Sequence, residues 1–223
     1  MKKNITILDY GSGNILSAMQ SFSRIIKSNE LDADICISGN PKSIKNTSHL
    51  VLPGQGAFET CINGLKNIPG MLEELSNYAL EQKKPFFGIC VGMQLLATSS
   101  KEFGSHSGLN FIPGVVNKIQ NKSLNGELLK IPYIGWAKQE ILNLASTHQF
   151  LKSFKSKEMY TIHSFQFKPD LKDHLLAFYN YGGNQITSIV GFENITGVQF
   201  HPEKSSKYGL EFLNNYINEI NSI

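Results

Sequence analysis

One cysteine framed by two glycines, inside an apolar run, is the feature that most constrains this chain. Residues 84–100 read KPFFGICVGMQLLATSS, with Cys90 two residues after Gly88 and two before Gly92. A strand that enters a helix through Gly-x-Cys-x-Gly is typical of a nucleophile elbow, because small residues let strand and helix approach across a strained turn. The pattern predicts a reactive thiol at a helix N-terminus, where thiolate is favoured. A plain buried cysteine is the competing interpretation.

Strands and helices alternate in the first half of the chain. The segments NITILDYG, ADICISG, HLVLPG and KPFFGIC read as short strands, and VGMQLLATSS as the beginning of a helix. Helices are predicted over residues 14–27, where Ile15, Met19, Phe22 and Ile26 share one face, and over residues 68–84. Right-handed crossovers between such strands produce a mostly parallel sheet covered by helices on both faces.

The second half reads as short strands at close intervals. The predicted strands are GVVNKIQ, IGWAKQEIL, EMYTIHSFQF, LLAFYNYGG, QITSIVGFE and ITGVQFHPE, with a hairpin at residues 181–184. We therefore expect an α/β fold in one domain over residues 1–223, with antiparallel strands added to the parallel sheet in the C-terminal half.

Composition excludes several classes of protein. A net charge of +3 with scattered lysines gives no basis for nucleic-acid binding. The three cysteines Cys36, Cys61 and Cys90 are widely spaced and fit neither a disulfide framework nor a zinc site. The N-terminal apolar stretch is too short for a signal peptide, and no segment has the length of a membrane span. We expect a reduced, cytoplasmic protein without a metal or a cofactor.

A thiol nucleophile needs a base, and the histidines are the candidates. The six are His49, His106, His148, His163, His174 and His201. Only His201 has an evident partner, because Glu203 follows it by two residues and extended residues at this spacing face the same way. Pro202 between them disfavours helix. The carboxylate can orient the imidazole, as the third member of a catalytic triad does.

The stretch LPGQGAFET, residues 52–60, follows the third predicted strand. Ligand sites in open α/β sheets lie at the carboxyl ends of the strands. The glycine-rich turn exposes backbone N–H groups near Gln55 and Gly56 that could stabilise an oxyanion, together with the N–H of Val91. An ordinary strand-to-helix turn is the alternative.

These motifs, in this order, resemble the class I (triad) glutamine amidotransferases over nearly the whole chain. The matching stretches are LDYGSGNILS, LPGQGAFE, GICVGMQLL, YTIHSF and GVQFHPEKSS. Within the family, the dipeptide Met93-Gln94 after the elbow resembles the sequence found in one branch, the glutaminase subunits of imidazole glycerol phosphate synthase.

The resemblance implies hydrolysis of glutamine to glutamate and ammonia through a cysteine thioester. Cys90 would attack the carboxamide, His201 would protonate the departing ammonia, and Glu203 would hold His201. Gln55, Gly56 and Val91 would supply the oxyanion donors. The implied contacts to glutamine are Gly54, Gln94, Glu102, Tyr160, His163 and Ser164.

The resemblance also implies a partner for the ammonia. It is a (βα)8-barrel cyclase subunit, bound as a heterodimer, that makes imidazole glycerol phosphate and an aminoimidazole carboxamide ribotide in histidine biosynthesis. The chain departs from the family at Tyr133 and Ala137, where histidine and asparagine are usual near the subunit contact. These departures motivate an alternative, in which the same chemistry supplies a sugar amidation partner in surface-polysaccharide biosynthesis. A non-catalytic subunit is a third interpretation, against which the intact cysteine, histidine and glutamate argue.

Overall fold

The computed structural model describes residues 2–142, 151, 154 and 157–219. The first half of the chain alternates strands and helices, as its sequence predicts. Its elements are β1 (Lys3–Leu8), α1 (Ile15–Ser28), β2 (Ala33–Ser38), α2 (Pro41–Ile44), β3 (His49–Gly54), α3 (Phe58–Lys66), α4 (Met71–Ser76), β4 (Phe86–Cys90) and α5 (Val91–Gln94). A π-helical turn over Asn77–Glu81 extends α4.

The second half is built mainly of short strands. They are β5 (Ser99–Ser100), β6 (His106–Ser107), β7 (Gly114–Lys118), β8 (Tyr133–Lys138), β9 (Glu140–Ile141), β10 (Glu158–His163), β11 (Phe165–Pro169), β12 (Leu175–Tyr181), β13 (Asn184–Phe192) and β14 (Ile195–Val198). The 3-10 turns Lys172–His174 and Pro202–Lys204 interrupt this part, and helix α6 (Ser206–Glu219) follows.

Among the described residues, the main sheet has eight strands in the order β2-β1-β3-β4-β14-β13-β12-β9. The first five strands in this order, from β2 to β14, are paired in parallel. The last three, β13, β12 and β9, add antiparallel pairs on the side of β14. Gly182 and Gly183 join β12 to β13 with positive φ of 58° and 84°, as a two-residue hairpin turn requires. The predicted addition of antiparallel strands to a parallel sheet is confirmed.

Helices cover both faces of this sheet. The step from β1 to β2 runs in the opposite direction to the steps from β2 to β3 and β4, so right-handed crossovers place α1 on one face and α2 to α4 on the other. Neighbouring residues of β4 show the same division. The ring of Phe87 lies against Phe212 and Tyr216 of α6, whereas Phe86 contacts Phe111. The predicted α/β fold class is confirmed.

The part of the chain that the structure describes also forms two smaller sheets. One has the order β11-β7-β5-β6, and the other pairs β10 with β8. The segment EMYTIHSFQF, predicted as one strand, is broken at Ser164, so β10 and β11 belong to different sheets. The helix after Cys90 is also shorter than VGMQLLATSS suggested. It ends at Gln94, and Ser99 and Ser100 pair with Val115 and Val116 instead.

Candidate active site

The elbow around Cys90 requires its glycines for space. Cys90 has φ 56° and ψ −112°, a conformation that side-chain-bearing residues rarely adopt and that marks stored strain at functional sites. A Cβ at Gly92 would lie 1.9 Å from the carbonyl oxygen of Leu52, and one at Gly88 would lie 2.7 Å from the oxygen of Gly92. Strand β3, strand β4 and helix α5 can therefore meet only because these positions carry no side chain.

His201 and Glu203 form a buried pair. Nδ1 of His201 lies 2.8 Å from Oε1 of Glu203, and the two side chains are 7% and 3% exposed. Pro202 lies between them and begins a 3-10 turn, and His201, immediately before this turn, has an extended backbone. The spacing brings the imidazole and the carboxylate together, but the segment is not extended throughout as predicted, because Pro202 begins a 3-10 turn that contains Glu203.

The imidazole of His201 also forms a side-chain hydrogen bond with Cys90. Burial lowers the pKa of His201, but the hydrogen bonds to Cys90 and Glu203 and the negative charges of these two groups raise it to about 10. The imidazole is therefore held as a cation at neutral pH. A positive charge beside the sulfur is the environment in which a cysteine is reactive.

Ser205 fixes the backbone of His201. Its hydroxyl donates a hydrogen bond to the carbonyl oxygen of His201 (2.6 Å) and accepts one from the N–H of Tyr160 (2.9 Å). The N–H of His201 donates in turn to the carbonyl oxygen of Tyr160 (2.9 Å). The histidine is thus attached to strand β10 at two points, and Ser205 is a structural residue of the site that the sequence analysis did not identify.

A cavity of about 350 Å³ opens above Cys90. The predicted residues that line it are Gln55, Gly56, Cys90, Val91, Gln94, Glu102, Tyr160, His163, Ser164 and His201. Two predicted residues do not line it. Glu203 lies behind His201, and Gly54 pairs with Cys90 across β3 and β4, where a Cβ would lie 2.4 Å from the N of Gly92.

The polar groups of the cavity are held by local hydrogen bonds. Oε2 of Glu102 accepts from the N–H of Phe58 at the N-terminus of α3 (2.7 Å), a position that favours negative charge. Nε2 of Gln94 donates to the carbonyl oxygen of Phe165 (3.1 Å) and to Oε1 of Gln199 (2.9 Å). Both side chains are buried, so their orientations are fixed before any ligand binds.

His163 is a neutral imidazole. Burial lowers its pKa to about 4, which the charge of His201 reinforces and a hydrogen bond with Phe165 opposes. Nδ1 donates to the carbonyl oxygen of Phe165 (2.6 Å), so Nε2 accepts from the hydroxyl of Tyr179 (2.8 Å). Both ring nitrogens are therefore occupied within the protein.

The peptide of Gln55 is held by Ser12. The Ser12 hydroxyl donates to the carbonyl oxygen of Gln55 (2.8 Å) and lies 3.4 Å from its amide nitrogen. The N–H of Gln55 is thus directed at Ser12 in this conformation. The oxyanion role of this segment stays a prediction.

The other histidines among the described residues do not line the cavity. His49 is buried next to Tyr216, His106 faces Glu59, and His174 packs on Phe192. His148 lies outside the described residues. In the described part of the chain, no cluster of three or more histidines, cysteines or acidic residues could hold a metal ion. Likewise, none of the helices described is long and apolar enough to cross a membrane.

Several residues of the cavity escaped the sequence analysis. They are Phe103, Pro132, Ile162, Phe165 and Lys204. Phe103, Ile162, Phe165 and Lys204 were within reach of inference, because each lies next to a predicted residue. Pro132 comes from a loop whose position depends on tertiary contacts.

The fold and the site together define a glutamine amidotransferase. The chain matches the glutamine amidotransferase class-I family over residues 6–219 and belongs to that family. The resemblance inferred from the motifs is therefore confirmed.

Known relatives indicate which members of the family this chain resembles. The chain is 39% identical to the imidazole glycerol phosphate synthase subunit HisH of Zymomonas mobilis, over 96% of this chain and 94% of that protein. It is 38% identical to the HisH subunit of Pelagibacter ubique, over 96% and 99%. A crystal structure of a glutamine amidotransferase from Thermotoga maritima has the same fold, with a TM-score of 0.63, 18% identity, and coverage of 98% of this chain and 84% of that one.

Proposed function

We propose that this chain is the glutaminase subunit of an imidazole glycerol phosphate synthase, acting as one domain over residues 1–223. The observation that carries the proposal is the hydrogen-bonded series from Cys90 through His201 to Glu203 at the floor of a cavity. The names of the relatives with 38–39% identity over nearly their full lengths support the histidine pathway. They give no support to the sugar amidation alternative.

The proposed reaction begins with the thiolate of Cys90. It attacks the carboxamide carbon of glutamine, and the oxygen becomes an oxyanion near Val91 and the segment Gln55-Gly56. His201 gives its proton to the amide nitrogen, the carbon–nitrogen bond breaks, and ammonia leaves a γ-glutamyl thioester. Water, deprotonated by His201, then attacks the thioester and releases glutamate and the thiolate. Glu203 holds the imidazole and stabilises its charge.

The polar groups around the cavity fit the rest of the substrate. Glutamine carries an ammonium group and a carboxylate at its other end, and Gln94 and Glu102 present hydrogen-bond acceptors in the cavity. Tyr160 and Ser164 add further polar residues to the lining of the cavity. His163 lines the cavity as a neutral ring, because burial keeps its pKa at about 4. Its Nε2 is bonded to the hydroxyl of Tyr179, which fixes the ring in place.

We propose a (βα)8-barrel cyclase subunit as the partner that receives the ammonia, in a heterodimer. The reaction requires no cofactor, because the nucleophile, the acid–base group and the oxyanion donors all belong to the chain. A free thiol at Cys90 is maintained in a reducing compartment, so the cytoplasm is the proposed location.

The proposal is tested by the release of glutamate from glutamine. We expect glutamine hydrolysis by the purified chain to rise when a cyclase subunit and its ribotide ligand are added. Cys90→Ser should abolish the stimulated hydrolysis, because a neutral hydroxyl is a poor nucleophile in a site arranged for a thiolate. A chain that released no glutamate in the presence of the cyclase would contradict the proposal.

Labelling provides an independent measurement on the same complex. A glutamine-mimicking electrophile should modify Cys90 and leave Cys61 and the exposed Cys36 unmodified, as read by peptide mass spectrometry. Equal labelling of all three cysteines would argue against an activated thiol at the elbow.

A further inference from the structure

Gln199 is a buried polar residue that does not line the cavity but contacts two residues that do, Cys90 and Gln94. It follows β14 directly, and its side chain has no exposure to solvent. Its Nε2 lies 3.7 Å from Sγ of Cys90, and its Oε1 lies 2.9 Å from Nε2 of Gln94. Since burial of an unpaired carboxamide costs free energy, these contacts with two side chains of the cavity call for an explanation.

The direction of each hydrogen bond follows from one carbonyl group. The carbonyl oxygen of Phe165 can only accept, so the group that Gln94 presents to it is the NH₂. The same NH₂ lies against Gln199, which must therefore present its oxygen. The NH₂ of Gln199 is then the group that faces the sulfur of Cys90. The two carboxamides thus form one directed series that ends in a donor to the nucleophile.

The pairing of β14 with β4 explains why Gln199 reaches the sulfur. Val198 pairs with Ile89 in parallel, so Gln199 and Cys90 are the next residues beyond the same edge of the sheet. His201 lies two residues further on, where its own backbone is extended and its imidazole is hydrogen-bonded to Cys90. Gln199 and His201 are therefore both directed toward Cys90 from one segment.

We propose that Gln199 is a positioning residue for the nucleophile: its NH₂ stabilises the thiolate of Cys90 while its oxygen fixes the orientation of Gln94. A donor to the charged form of a group favours that form. Because the NH₂ of Gln94 is already bonded, Oε1 is the group with which Gln94 accepts a hydrogen bond from a molecule in the cavity. This inference rests on the proposed role of Cys90 as the nucleophile.

Gln139 shows what a purely structural buried glutamine looks like in this fold. It has no exposure to solvent either, but its Nε2 donates to the carbonyl oxygen of Ala137, and its Oε1 accepts from the hydroxyl of Ser188. Gln139 does not line the cavity. It therefore provides a matched control, because replacing it removes a buried carboxamide without touching the nucleophile.

The test measures the alkylation rate of Cys90 by iodoacetamide as a function of pH, in the full chain, by mass spectrometry of the Cys90 peptide. In Gln199→Leu we expect the rate at pH 7 to fall by about three- to tenfold and to recover at higher pH, because the thiolate has lost a donor. Gln199→Glu keeps the size of the side chain but places an acceptor and a second negative charge beside the sulfur. It should move the profile further in the same direction. Gln139→Leu should leave the profile unchanged.

Each result has one meaning. Profiles of the two Gln199 variants that coincide with that of the unmodified chain, while this chain still hydrolyses glutamine, would overturn the role of Gln199 and leave the proposed function intact. Failure of the unmodified chain to hydrolyse glutamine with the cyclase would instead overturn the proposed function. Should Gln199→Leu unfold in a thermal melt, the near-isosteric Gln199→Glu decides the outcome.

Discussion

Replacement of Glu203 by glutamine isolates the contribution of one negative charge to the site. Oε1 of Glu203 lies 2.8 Å from Nδ1 of His201, and the pair is almost completely buried. Oε2 is buried without a hydrogen-bond partner among the described residues, so an NH₂ group can take its place with little change in packing. The exchange therefore removes the charge and leaves the shape of the site nearly unchanged.

The expected loss follows from the kind of hydrogen bond that is removed. A hydrogen bond to a charged group contributes about 1.5–3 kcal/mol, and each 1.36 kcal/mol corresponds to a factor of about ten in rate. We therefore expect kcat for glutamine hydrolysis to fall by roughly 10- to 150-fold in Glu203→Gln. The KM for glutamine should change little, because Glu203 does not line the cavity.

The measurement is glutamate release by the complex with the cyclase and its ligand, over a range of glutamine concentrations. Glu59→Gln is the matched control: Glu59 also faces a histidine, with 3.7 Å to Nδ1 of His106, but it is 58% exposed and lies outside the cavity. It should retain full activity. A folded Glu203→Gln variant with kcat within threefold of the original would refute the assigned role of Glu203.

Three further predictions concern stability and position. Gly92→Ala should lower the free energy of unfolding by about 3 kcal/mol or more in a denaturant titration, since its Cβ would enter the backbone of β3, whereas Gly135→Ala, with no contact closer than 3.7 Å, should cost less than about 0.5 kcal/mol. Ser205→Ala should cost about 1–3 kcal/mol and lower kcat more than it changes KM, because the N–H of Tyr160 loses its partner and the carbonyl oxygen of His201 keeps only the N–H of Lys204. The pKa of His163 is about 4 in the folded chain and 6.5 in the unfolded chain, so between these values the unfolded chain binds one more proton than the folded chain. Stability to urea should therefore fall as the pH drops from 6.5 to 4, and this fall should be smaller in a folded His163→Gln variant.

Local patterns in the sequence were sufficient to predict the elbow and the histidine–glutamate pair. Gly88, Cys90 and Gly92 lie within one strand-to-helix turn, and His201 and Glu203 are two residues apart at the start of a 3-10 turn, so each group is visible as a short motif. The alternation of strands and helices is equally local. These features could be predicted because nothing distant has to be known to interpret them.

The early end of α5 could not be predicted in this way. Leu95 and Leu96 have strong helical preferences, yet the helix stops at Gln94. The carbonyl oxygen of Leu95 accepts from the N–H of Leu109, and that of Leu96 accepts from Phe111 and Ile112. A later loop therefore satisfies the backbone groups that a longer helix would have used, and tertiary contact overrides propensity.

Assembly of the site depends on the pairing of β4 with β14, which no local pattern specifies. The two strands run in parallel with Val198 opposite Ile89, and this register places Gln199 and His201 on the side of Cys90. Side chains alternate between the two sides of an extended strand, so a shift of one residue would direct the apolar ring of Phe200 toward the sulfur. The reactive groups of the site therefore belong to two local motifs, one around Cys90 and one around His201. The two motifs come together because apolar residues in the core of the sheet fix a single register between β4 and β14.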